Sequence, residues 1–558
     1  MMDYPLTVRT IYQRALTLFP DKQLVTRRSA GGSGGPPGRS PGGSEGVRRT
    51  TYGEWAERVA RLAGGLRDLG VGPGDRVATF CWNHDRHLEA YFAAALMGAS
   101  YHTLNIRLGG DQLAYIVNHA HDKVLVCDAE LAGAIAPVLP GLGTLQHLLV
   151  LDADAGQRPT LGFGAEHGYE DLVERSAPMT DWPELDEWQT AGICYTSATT
   201  GNPKGVAYSH RALYLHSLMA GLVDTAAISE RDVLLPIVPM FHVNAWGMPF
   251  AASWYGAGQV YGGPAPTPAD YLRLIREEGV TVSAGVPTVW LGILPLLEAD
   301  GGGLGSLERI ICGGSAAPVS MIRAYEERHG VQFIHAYGMT EATPVTHFSR
   351  LKSTMSDLPV EARYGYKAKQ GTLVPGLEQR VVDADGDQVP PDGKSMGELQ
   401  LRGPTIASEY LDDERSAQTF IDGWYHTGDV ATLDHEGYLH LVDRTKDLVK
   451  SGGEWISSVE LENALMGHPE VAQAAVIAVP DEKWGERPLA VVVRKPGSEV
   501  GEAEVVASVA DKFPKWWLPE RVEFVDEIPM TATGKFSKRL LRERFIGRVH
   551  EEEGSDER

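Results

Sequence analysis

From Tyr52 to His335 the chain alternates between short apolar runs and helix-length stretches, and no other feature limits its fold as strongly. Tyr52 to Leu69 places Trp55, Val59, Leu62, Leu66 and Leu69 at helical spacing and reads as an amphipathic helix. Gly70 to Asp75 stops it, Val77 to Cys81 reads as a strand, and Leu88 to Met97 is helical again. Lys123 to Cys127, His147 to Leu151, Val233 to Val238, Val280 to Gly285, Arg309 to Cys312 and Gln332 to His335 are strand candidates. Such alternation predicts an α/β architecture in which strands feed functional loops at their C-terminal ends. Leu377 to Arg402 changes to a β-hairpin pattern, with a turn at Asp383-Ala384-Asp385-Gly386-Asp387. Past the charged stretch Asp443 to Asp447 a small α+β portion is expected, with a helix near Val459 to Met466 and strands at Ala472 to Val479 and Leu489 to Val493. Because 558 residues exceed one compact core, the expected division is a large multi-subdomain α/β domain over 1–443 and a small C-terminal domain over 444–558. Arg28 to Arg48 is dense in Gly, Ser and Pro, can bury little apolar area, and reads as a disordered surface insertion.

The stretch most suited to chemistry is Tyr195-Thr196-Ser197-Ala198-Thr199-Thr200-Gly201-Asn202-Pro203-Lys204-Gly205. It follows an apolar run and precedes a helix-compatible segment from His210, so backbone N–H groups are expected to converge there on an anion. The hydroxyls of Thr196, Ser197, Thr199 and Thr200 add donors, Lys204 adds a mobile charge, and two glycines permit close approach. The reading is a triphosphate loop, although not of the G-x-x-x-x-G-K-[ST] type; taken alone, the run also reads as an ordinary polar surface loop.

Composition removes several function classes. A net charge of −23 opposes a nucleic-acid partner, which requires basic patches, and disfavours an anionic membrane surface. No run approaches the length needed to span a bilayer, and the first residues lack a signal-peptide core. The four cysteines, Cys81, Cys127, Cys194 and Cys312, lack metal-ligand spacing and sit in or beside apolar runs, so buried reduced thiols and a cytoplasmic setting are expected.

Five further stretches complete a pattern. His335-Ala336-Tyr337-Gly338-Met339-Thr340-Glu341 puts a carboxylate near the phosphate loop, suited to hold Mg²⁺ through oxygen. Cys312 to Pro318 offers a Gly313-Gly314 pair that admits a flat ring. Gly423 to Asp429 ends a turn on an aspartate able to accept ribose hydroxyls. Asp443 to Ser458 and Pro529 to Lys535 each carry lysines that could equally be solvated surface charge.

Together the six motifs closely resemble the adenylate-forming superfamily of acyl-CoA synthetases, luciferases and peptide-synthetase adenylation domains, and they cover the chain from Tyr195 to Lys535. The family usually has Gly where this chain has Ala198. The D-R-x-K-D run at Asp443 is similar to the long- and medium-chain fatty acyl-CoA synthetase branch. The resemblance implies ATP and CoA as cosubstrates, a mobile C-terminal lid, and Mg²⁺ held by Thr196 and Glu341. It implies nucleotide contacts from the phosphate loop and from Val243, Trp246, Gly314, Ser315, Ala336, Tyr337, Gly338, Thr340, Glu341, Asp429, Arg444, Lys450 and Trp455. Lys535 and His242 would be catalytic, Lys446 the catalytic-cycle hinge, and Gly453 would line the approach of the CoA thiol. Val238 to Trp246 looks like the gate motif of dimeric long-chain enzymes, so Trp246 is expected to gate an apolar acyl tunnel and the protein to be a homodimer. The implied activity is ATP-dependent ligation of a medium- or long-chain acid to CoA. Alternatives are a ligase for another small acid, methylthio-propionate-like or branched, an acyl-AMP ligase that loads a carrier protein, and a nucleotide-binding module without turnover.

Overall fold

The computed structural model describes residues 1–28, 46–152, 158–196, 202–444, 447–451, 454–481, 483–530 and 536–546. Two large sheets build the first part of the chain. In one, of seven strands, six parallel strands run in the order Glu166–Gly168, His147–Val150, Val124–Cys127, Arg76–Phe80, Ser100–Thr103, Thr190–Tyr195, and Gly205–Ser209 closes the edge antiparallel to the last. The other centres on the parallel strands Gly258–Tyr261, Val233–Pro236, Val282–Gly285, Arg309–Gly313 and Gln332–Gly338. Every strand candidate over Val77 to His335 is found, within a few residues of its expected ends.

The helix Tyr52–Asp68 forms where its apolar spacing predicts, and Thr51 and Glu54 cap it reciprocally. Beside it Asp85–Leu96 is buried on every face except at Arg86, its apolar second half in the core and its first half carrying the buried polar residues Asp85, His87 and Glu89. Its rings join the two sheets: Tyr91 stacks on Tyr101 at 4.3 Å, and Phe92 meets Trp55 at 4.9 Å and Phe250 at 5.1 Å. Asn83, just before this helix, donates to the carbonyls of Pro236 (3.0 Å) and Val238 (2.8 Å) and accepts from Met240 N (2.6 Å). One buried amide thereby registers the end of one sheet against a loop of the other.

The insertion expected over Arg28 to Arg48 is corrected at its end, where Val47 and Arg48 belong to a strand. Residues 29–45 lie outside the described residues, but Val47–Thr51 is a strand paired with Gln23–Arg27. Arg48 grips both oxygens of the buried Asp85, and Oδ1 also accepts from Thr26 at 3.0 Å; this ion pair fixes the strand end.

Glu378–Val382 and Gly397–Arg402 form the expected hairpin ladder within a five-stranded antiparallel sheet that also holds Trp424–Leu433 and Leu439–Arg444. The C-terminal part packs the helix Ser458–Leu465 on a separate sheet containing Val471–Asp481 and Gly485–Arg494. The whole is a mixed α/β protein with a large N-terminal and a smaller C-terminal part. Among the described residues all four cysteines are buried and free, and no helix is long and apolar enough to cross a membrane.

A polar knot ties the small part to the strand before it. Asp443 Oδ2 accepts from Ser458 N at 2.9 Å, and Ser457 Oγ donates to the Val442 carbonyl at 2.5 Å. Lys538 lies 2.9 Å from Glu462 and donates to Ser458 Oγ, with both charged side chains nearly buried. Removing one partner of such a pair leaves an uncompensated buried charge. Lys538→Met is therefore expected to destabilise the C-terminal part by about 3 kcal/mol, read as a lower denaturant midpoint.

Candidate active site

The strand Thr190–Tyr195 ends at the phosphate loop, but the chain returns as a strand, Gly205–Ser209, and not directly as a helix. The helix His210–Ala220 starts five residues after Gly205, capped by Ser209 Oγ on Ala212 N. The expected strand-to-helix turn is thus a hairpin loop. Tyr195 pairs across the strands with Gly205, and Thr196 N donates to the Lys204 carbonyl at 2.9 Å. Ser197, Ala198, Thr199 and Thr200 lie outside the described residues, as do Lys446, Gly453 and Lys535.

Most of the described remainder converges on one cavity. Thr196, Lys204, His242, Val243, Trp246, Gly314, Ala336, Tyr337, Gly338, Thr340, Glu341, Asp429 and Arg444 all line it. They come from both large sheets and from the antiparallel sheet, so only the tertiary fold brings them together. Ser315 is not a lining residue; its carbonyl sits behind the wall, 3.3 Å from His335 Nε2. Lys450 and Trp455 stand away from the cavity on the hairpin of Val449–Ser451 and Glu454–Ile456, with the ammonium 5.2 Å from the indole centroid.

Asp429 lies within the strand Trp424–Leu433, where a turn was expected, beside the irregular register between Val430 and Ala431. It accepts from Tyr337 OH and lies 3.0 Å from Arg444 Nε. The Asp429 charge raises the Arg444 pKa, while burial and the same carboxylate push the Tyr337 phenol well up. A negative, hydrogen-bonded carboxylate beside a fixed cation is suited to hold a vicinal diol.

Tyr410, which the sequence reading passed over, joins the other two charged motifs. Its hydroxyl donates to Glu341 Oε1 at 2.7 Å and accepts from Lys204 Nζ at 2.8 Å, and the ammonium lies 3.9 Å from the ring centroid. The segment is strapped across both loops: Ala407 N donates to the Glu341 carbonyl (2.7 Å) and Leu411 N to that of Gly205 (2.8 Å). Burial lowers the Lys204 pKa, partly offset by Glu341. The Tyr-Leu pair beside an acidic run carries no signal in sequence alone. Tyr410→Phe keeps the ring and is expected to raise the dissociation constant of Mg·ATP about tenfold, measurable by calorimetry.

Thr196 and Glu341 are oxygen donors on the wall of the same cavity as the Lys204 ammonium, a set that fits a hard divalent cation shared with phosphate. On the opposite side the backbone does something unusual. Val243, Asn244, Ala245 and Trp246 have φ of 45°, 54°, 50° and 59°, one left-handed helical turn ending at Gly247. Left-handed helix costs about 1–2 kcal/mol per non-glycine residue, so the surroundings must hold it. Trp246 is buried against the Gly313 end of its strand, where an added Cβ would stand 3.3 Å from the indole.

The comparisons with known proteins agree with this geometry. The AMP-binding enzyme family matches residues 19–411, and the AMP-binding enzyme C-terminal domain matches residues 460–535. A long-chain-fatty-acid–CoA ligase of Thermus thermophilus is 48% identical over 98% of this chain and 96% of the relative. A 3-methylmercaptopropionyl-CoA ligase of Ruegeria pomeroyi is 42% identical over 98% of each. Among solved structures, an anthranilate CoA ligase in complex with anthranoyl-AMP superposes with a TM-score of 0.85, at 26% identity over 97% of this chain and 98% of that one. With both family matches and these full-length relatives in agreement with the six ordered motifs, the chain belongs to the AMP-binding enzyme family, within the adenylate-forming acid–thiol ligases.

Proposed function

We propose that this chain activates a medium- or long-chain fatty acid with ATP and passes the acyl group to CoA. The observation that carries the reading is the shared cavity: the Lys204 ammonium, the Glu341 carboxylate, the Asp429–Arg444 pair and the apolar Trp246 wall meet around one space. Val238, Val243, Trp246 and Val286 give the same cavity an apolar side for a chain. The 48% relative that ligates long-chain fatty acids supports the choice of acid.

In the first step a carboxylate oxygen attacks the α-phosphorus. A C–O–P linkage forms, the bond from that phosphorus to the β-phosphate bridging oxygen breaks, and pyrophosphate leaves. Two anions meet in that step, so cations must offset the developing charge. Lys204 would hold the polyphosphate, and Lys535, from the C-terminal part, would reach the reacting oxygens. Thr196 and Glu341 would hold Mg²⁺, which when bound neutralises phosphate charge. Asp429 and Arg444 would orient the ribose, Tyr337 the adenine, and His242 would stand at the reacting end. In the second step the 444–558 domain turns about Lys446, Gly453 lines the thiol path, and the CoA sulfur attacks the carbonyl carbon. The thioester C–S bond forms, the C–O bond to AMP breaks, and the thiol proton leaves to solvent. Lys450 and Trp455, which stand apart in the present arrangement, would reach nucleotide only after such a turn. The buried reduced cysteines are compatible with the cytoplasm, and the gate motif with a homodimer, testable by light scattering.

The test is a panel of acids from acetate to palmitate, with pyrophosphate and CoA-dependent AMP release followed for each. Release is expected to peak between octanoate and palmitate. A peak at 3-methylmercaptopropionate would favour the second reading, for which the 42% relative is the reason. Absence of acid-dependent pyrophosphate exchange into ATP with every acid would overturn both.

A further inference from the structure

The left-handed turn at Val243 to Trp246 has no cause in its own sequence. Val243 is β-branched and Trp246 bulky, and such residues almost never adopt positive φ. Asn244 alone among the four belongs to a type that visits this region readily. It is also the one whose side chain is spent on the neighbouring sheet. Its Nδ2 donates to Tyr101 OH at 2.9 Å, and its Oδ1 accepts from Cys194 Sγ at 3.5 Å. Cys194 lies on the strand that leads directly into Thr196 and the phosphate loop. The residues just before the turn are pinned from the same side: Tyr91 OH donates to the Met240 carbonyl at 2.6 Å and Thr103 Oγ1 to that of Phe241 at 3.1 Å.

After the turn the chain is held as firmly. A Cβ at Gly247 would lie 2.6 Å from the His216 ring, so the backbone passes flush against it. Between these anchors the handedness of the turn sets the direction in which Trp246 leaves the main chain. A right-handed turn over the same residues would aim the indole elsewhere, because reversing φ and ψ inverts the Cα–Cβ vectors about the turn axis.

We infer that Asn244 is a specificity-positioning residue: by bonding Tyr101 and Cys194 it holds the left-handed turn that aims Trp246 across the acyl side of the cavity, and so sets which chain lengths are accepted. This rests on the reading of Trp246 as the acyl gate. It does not require Asn244 to touch either substrate, and it makes the seven-stranded sheet, through Tyr101 and Cys194, part of the specificity apparatus. Glycine at 244 would tolerate the backbone but lose both side-chain bonds; alanine would lose the bonds and add strain.

The experiment compares kcat/KM for octanoate and palmitate in wild type, Asn244→Gly, Asn244→Ala, Tyr101→Phe and Trp246→Ala, all full chain. Loss of the Asn244 anchor, from either partner, is expected to shift the palmitate-to-octanoate ratio about fivefold or more, through the KM for the acid, with the KM for ATP within about twofold of wild type. Should Asn244→Ala not fold, Asn244→Gly and Tyr101→Phe carry the test. A ratio unmoved in those variants while Trp246→Ala moves it would overturn the role of Asn244 and leave the gate standing. A uniform fall in kcat for every acid would show a merely structural role and overturn it too. If Trp246→Ala itself left the ratio unmoved, the gate and this inference would fall together, while the ligase reading would still be decided separately by acid-dependent pyrophosphate exchange in the wild type.

Discussion

Lys535→Ala is expected to slow acyl-adenylate formation by about a thousandfold while leaving thioester formation from supplied acyl-AMP within about threefold of wild type. The reason is electrostatic. Adenylation brings a carboxylate onto a polyphosphate, and a preorganised cation at the reacting oxygens is the feature that separates its transition state from its ground state. Thioester formation attacks a neutral carbonyl and has no such need. Lys535 itself lies outside the described residues; Met530 and Phe536, on either side of residues 531–535, form an antiparallel bridge. Pyrophosphate exchange measures the first half-reaction, and AMP release from synthetic acyl-AMP with CoA measures the second. Equal losses in the two would remove Lys535 from its assigned role.

Glu341→Gln should produce the second large effect, a fall of about a hundredfold in kcat/KM for ATP, with the Mg²⁺ needed for half-saturation rising in parallel. Glu341 is buried, accepts from Tyr410 and stands in the cavity with Lys204, so glutamine keeps the volume and one hydrogen-bond acceptor but removes the charge. The fold should persist, because the Ala407 bond is to the Glu341 backbone. Calorimetric binding of ATP with and without Mg²⁺ separates the two explanations of such a loss. Weakened binding only in the presence of the cation supports a metal-holding carboxylate. Equal weakening in its absence would make Glu341 a partner of Lys204 alone.

Tyr410 and Asp429 illustrate what was and was not legible beforehand. Asp429 was recognisable because it closes a run, Tyr425-His426-Thr427-Gly428-Asp429, whose order resembles a family motif. Its setting was not: the expected turn is a strand, and the carboxylate is held by Tyr337, far back in the chain, and by Arg444, its cross-strand partner on the next strand. Tyr410 belongs to no run with a chemical reading, yet it bonds both Lys204 and Glu341. A single tyrosine near a charged loop looks like core or surface until its partners are known. The phosphate loop fell between these cases. Its composition was informative, but local pattern could not tell a hairpin from a strand-to-helix turn, because Gly205 to Ser209 acquires its strand character from pairing with Thr190–Tyr195.

The amino-acid sequence by itself determined the alternation of strands and helices, the helix at Tyr52–Asp68 with its capping box, the buried state of the cysteines, and the ordered motifs from Thr196 to Lys535. These are local properties: periodicity, capping and turn chemistry act within a few residues and leave a readable trace. The tertiary structure alone decided that Arg48 closes a strand against Asp85, that Tyr410 bridges two loops, and that Val243 to Trp246 winds left-handed. Each of those depends on a hydrogen bond or ion pair between residues tens to hundreds of positions apart. Such a bond can outweigh a local preference of about 1–2 kcal/mol per residue, and nothing in the local chain records it.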